Sequence, residues 1–127
     1  RPARLEPRGE PLAALTGLNE TIFVEAARAL AIRVLNEAGH DDTSRARYAF
    51  LLCTSREPTG AEVQEILNLL EVQRQRLADG WLNPREITTG DAAKLPVLPE
   101  KSSPQDAAAW TLTARVLLNL DETLSKY

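Results

Sequence analysis

The residues with the chemistry to act on something are few, and they are scattered. His40-Asp41-Asp42 is the one place where a histidine meets carboxylates. Imidazole and carboxylate both ligate metals. Three consecutive residues, however, cannot easily converge on one ion, and no second histidine exists to complete a site. A solvated turn with the aspartates capping the next helix is the simpler reading. Cys53, the sole cysteine, would need activation to serve as a nucleophile, and no local motif pairs it with His40. Its spacing from Ala46, Ala49 and Phe50 puts it on a buried face, where a free thiol behaves as a small hydrophobe. Asp121-Glu122 could suggest acid–base work, but no partner for the pair can be read from the sequence. Asp121 is more simply the cap of a terminal turn. Arg56 could bond the last carbonyls of the helix before it, and Arg115 could pair with Glu62, Asp121 or Glu122. Trp81, beside Gly80, could stack on a sugar, anchor a protein partner, or fold back to seal a helix end.

No larger motif gathers these residues. The chain has no Cys-x-x-Cys-His haem attachment run, no methionine, no glycine-rich phosphate loop, no Gly-x-Ser-x-Gly elbow and no His-Glu-x-x-His helix. The sequence therefore assigns no catalytic, cofactor-binding or metal-binding residue. With 127 residues, 43% hydrophobic and 26% charged, it has the size and balance of one globular domain able to bury a core. A net charge of −3 gives no electrostatic reason to bind phosphate backbones, so nucleic acid is not an expected partner. No apolar run approaches the roughly 20 residues of a membrane span. The opening Arg1-Pro2 and the absence of methionine lead us to expect a piece of a longer polypeptide.

The elements that must position these residues read as helices. Residues 1–10, with arginines, prolines and Gly9, suggest an extended arm or interdomain linker, and 11–127 a helical domain. Pro11 suits the first turn of a short helix over 11–18. Asn19 then reads as the cap of a second helix, 20–38, whose stripe is Phe23, Ala26, Ala27, Leu30, Ala31 and Val34. Gly39 ends it. A third helix spans about 44–54. Pro58, Thr59 and Glu62 mark a stop followed by a capping box, opening a fourth helix, 60–78, that buries Val63, Ile66, Leu67, Leu70 and Leu77. From 79 to 103 the pattern disappears into a long loop. Ser103-Pro104-Gln105-Asp106 restarts a helix, in which Trp110, Ala114, Leu117 and Leu118 face the core. The expected fold is all-α: a compact bundle of about five helices with one long loop before the last. Leu18, Ile32 and Leu69 lie off the stripes and could form an interdomain contact.

Three strings occur in an order that suggests a family: PLAALTGLNETIFVEAARALAIRVL, RYAFLLCTSREPTGAE and AAWTLTARVLLNLDETLS. Together they resemble the C-terminal part of the planctomycete-specific uncharacterised domain found in large cytochrome-c-associated bacterial surface proteins. Asn19, Arg56, Pro58, Thr59, Glu62, Trp110, Asn119, Asp121 and Glu122 form the structural signature of these blocks. Thr123-Leu124 departs from the aromatic usual after Asp-Glu, and residues 80–103 match nothing in the pattern. The resemblance implies an extracytoplasmic module, periplasmic or at the cell surface, whose partners are other domains of its parent protein and possibly polysaccharide. It implies no catalytic residue and no cofactor in this chain. The expected function is a non-catalytic structural or interaction module. The alternatives are part of a hydrolase or redox enzyme completed by upstream domains, or a carbohydrate-binding module using the 80–103 loop.

Overall fold

In a computed structural model, the backbone of residues 9–99 and 102–125 is described, with the side chains of 20–99 and 102–120. Most of the expected arm lies outside this range, as do the side chains of Leu18, Asn19, Asp121 and Glu122. The helices are α1 (Gly9–Glu37), α2 (Asp42–Thr54), α3 (Gly60–Ala78), α4 (Pro84–Thr89) and α5 (Pro104–Ser125), and no strand occurs among the described residues. The all-α expectation is met, and so is the count of five, but the partition differs at two places.

First, the two N-terminal helices are one. α1 runs through residue 19 without a break. An asparagine inside a helix costs only about 0.7 kcal/mol or less relative to alanine. A break there would leave several backbone donors and acceptors without partners. Second, the loop contains α4. Asn83 accepts bonds from the backbone N–H of Arg85 (2.9 Å) and Glu86 (3.3 Å). Pro84 occupies the first turn, and Gly90, at φ 86°, closes the helix with its N–H on the Glu86 carbonyl. Six residues carry too short a stripe to be seen as periodicity; only Ile87 is buried.

The other punctuation is as expected. Asp41 caps α2, taking the Ser44 N–H at 2.8 Å and its hydroxyl at 2.9 Å. Thr59 and Glu62 form a complete capping box at α3. The Ser103 hydroxyl accepts the Asp106 N–H at 3.0 Å to open α5.

α5 lies at the centre and packs on all four other helices. Ala107, Ala108 and Ala109 are wholly buried, followed by Trp110, Thr111, Thr113, Ala114 and Leu117. A helix buried almost all round is what a central element requires. Its two buried hydroxyls donate back to Ala107 (2.7 Å) and Ala109 (2.9 Å) carbonyls, so neither is left unbonded. Against it pack Ala31, Val34 and Leu35 of α1, Ala46, Ala49 and Phe50 of α2, and Val63, Ile66, Leu70 and Leu77 of α3. Ala26, placed in the α1 stripe by spacing, is exposed instead, and Leu35 takes an inward place.

Two arginines fasten elements that are distant in sequence. Arg74 of α3 holds Asp42 of α2 with two bonds, 2.7 and 3.0 Å, and reaches Asp106 of α5 at 3.5 Å. This pairing, Asp42's largest influence, holds its carboxyl below the usual range. Arg28 of α1 donates from Nε to the Ile87 carbonyl at 2.8 Å, tying α4 back to the bundle.

Candidate interaction surface

The residues singled out for chemistry do not converge. His40 is exposed in the turn between α1 and α2, and its neighbours Asp41 and Asp42 serve α2 as cap and α3 as counter-ion. Among the described residues no group of three histidine, cysteine or acidic side chains could hold a metal ion. Cys53 is half-buried and packs against the core cluster.

Arg56 takes a different partner from the one expected. It does not bond the terminal carbonyls of α2. Its guanidinium grips Glu62 with bonds of 2.9 and 2.7 Å and lies 4.8 Å over the Phe50 ring. Glu62 also accepts the Thr59 N–H at 2.8 Å. Arg56 and then that N–H hold the Glu62 carboxyl down at about 2, against an ordinary 4.5. Arg56 and Glu62 line a groove of about 230 Å³ together with Phe50, Ile66, Leu117 and Leu120.

Of the partners expected for Arg115, Glu62 is engaged by Arg56, and Asp121 and Glu122 lie outside the described side chains. The Arg115 Nε is buried with no hydrogen-bond partner among the described residues. Burial, and then repulsion by Arg28, lower its affinity for the proton. Trp110 is core, as its spacing requires, although its indole N–H finds no acceptor among the described residues. Asn119 is exposed near the end of α5.

Trp81 does not seal the end of α3. Gly80, at φ 81°, turns the chain left-handed, the Trp81 N–H returns to the Arg76 carbonyl at 3.1 Å, and the indole stands 77% exposed. Farther along the same connection Leu95 is 57% and Val97 94% exposed. Sequence reading missed these two. The signal available was the run Leu-Pro-Val-Leu-Pro, apolar yet unable to enter a helix. Ile32 and Leu69, expected as contact residues, are half-buried.

Residues 4–70, more than half of the chain, match the family described as PSD1, Protein of unknown function (DUF1553). The chain belongs to the DUF1553 family. None of the curated proteins and none of the solved structures compared with it matches. The DUF1553 match takes in α1, α2 and α3 as far as Leu70, including the Arg56–Glu62 capping hairpin. Trp81, α4 and α5 lie beyond it.

Proposed function

We propose that this DUF1553 chain is a non-catalytic interaction module of a larger extracytoplasmic bacterial protein, of the planctomycete cytochrome-c-associated kind that its sequence blocks resemble. The observation that carries this reading is the placement of Trp81, Leu95 and Val97. Three large apolar side chains stand exposed on one connection, between α3 and α5, while the helices beneath it form a filled core. A contiguous exposed apolar patch marks a contact surface, and the reading takes these three side chains as parts of one. The partners are the other domains of the parent protein.

The test is a Trp81→Ser/Leu95→Ser/Val97→Ser triple variant in the full-length protein. Its thermal unfolding should be close to wild type, while small-angle scattering shows a larger radius as the module separates. Substrate turnover by the module on its own would overturn the reading. The exposure of Trp81 also favours a second reading, a platform on which a sugar ring stacks. In that case Trp81→Ala alone should abolish retardation of the protein in polysaccharide-containing native gels.

A further inference from the structure

Resting on the reading above, we propose that Lys94-Leu95-Pro96-Val97-Leu98-Pro99 is a built-in docking peptide for an aromatic-lined, acidic groove on another domain of the same polypeptide. The segment belongs to no helix or strand. Its ends are fastened: the Lys94 N–H bonds the Asp91 carbonyl, and the Ser102 N–H bonds the Pro99 carbonyl, each at 3.1 Å. Between them Leu95, Val97 and Leu98 donate no hydrogen bond among the described residues. Pro96 and Pro99 fix their own φ near −65° and bias Leu95 and Leu98 toward extended conformations. These are the restrictions of a left-handed polyproline helix, which has three residues per turn and no internal hydrogen bonds.

Exposure is uneven along it: Lys94, Leu95 and Val97 face outward, Val97 at 94%, while Leu98 packs against the core. The segment is therefore held from below and offered from above, already ordered. Little conformational freedom remains to be lost on binding.

The chemistry of the segment selects its partner. A sheet edge would find no donor at Pro96 or Pro99, so strand addition is a poor fit. Proline rings, the carbonyls of Leu95 to Leu98, which accept no hydrogen bond among the described residues, and a flanking cation instead suit a groove of aromatic rings with N–H or O–H donors and a carboxylate for Lys94. A second copy of this chain fits poorly: its one groove with an aromatic lining and a carboxylate among the described residues, at Phe50 and Glu62, already has Arg56 over the ring and bonded to the carboxylate, and Trp81 is a lone exposed ring.

The experiment places a photo-crosslinking p-benzoylphenylalanine at Val97, or separately at Leu120 beside the α2–α3–α5 groove, in the full-length protein. We expect crosslinks from position 97 to an aromatic-rich segment of the same polypeptide outside these 127 residues, with Lys94→Glu lowering their yield at least fivefold. An unchanged yield with Lys94→Glu overturns the acidic groove. Crosslinks from 97 only between copies, or from 120 only, overturn the docking peptide and leave an interaction module standing. No crosslink from either position overturns both.

Discussion

Glu62 serves two elements with one carboxylate: it closes the N-terminus of α3 through the Thr59 N–H and holds Arg56 from the preceding turn. Both partners favour the ionised form, so its proton affinity is lower in the folded chain than in the unfolded one. The stability it contributes is then complete above about pH 4.5, its ordinary value, and is lost as pH falls through about 2. Glu62→Gln keeps the shape and removes the charge. The stability difference between wild type and variant, from urea denaturation, should be constant above pH 4.5 and close toward zero near pH 2. The capping box was legible because its donors and acceptors lie three residues apart. The grip of Arg56 was not, because a long side chain chooses its partner from the folded surface. The same holds for Trp81, whose outward direction is decided by the left-handed turn at Gly80.

At the scale of elements, the difference between expectation and structure comes from length. α1 is long enough to carry an asparagine without breaking, and α4 is too short to declare itself by period. α4 is held by local capping by Asn83, by Ile87 and its packing on α5, and by the Arg28 bond from α1. Removing the cap with Asn83→Ala should cost about 1 kcal/mol. Because α4 has only six residues and the cap serves its first turn, the change should be felt locally. Hydrogen exchange at the Ile87 and Gly90 amides, which bond to Asn83 and Glu86 carbonyls at 3.1 and 2.7 Å, should accelerate while core amides of α3 and α5 do not. Arg28 is a part of this element's stability that no local pattern could reveal, since its acceptor lies 59 residues away.

For the molecule as a whole, the helical class and the inward faces of α3 and α5 were readable from spacing, but the rank of α5 was not. Periodicity says that a helix has a buried side; it does not say that nearly every side is buried. The alanines at 107–109 allow close approach by neighbouring helices. Ala108→Leu should therefore destabilise by about 1–3 kcal/mol through overpacking, checked as a fall in the denaturation midpoint with an unchanged slope. The family match ends at Leu70 and the exposed segment begins beyond it.

A helix that every other helix needs has a consequence for how the chain is made. Of the five helices, α5 leaves the ribosome last. Until it emerges, Ala31, Val34, Ala46, Val63 and Leu70 have no common surface to close on. The nascent chain must wait in an open state, with its stickiest faces uncovered, until the stretch that carries α5 has been made. A ribosome stalled before Pro104 would leave a chain with well-capped helices and no interior, a natural client for chaperones and proteases.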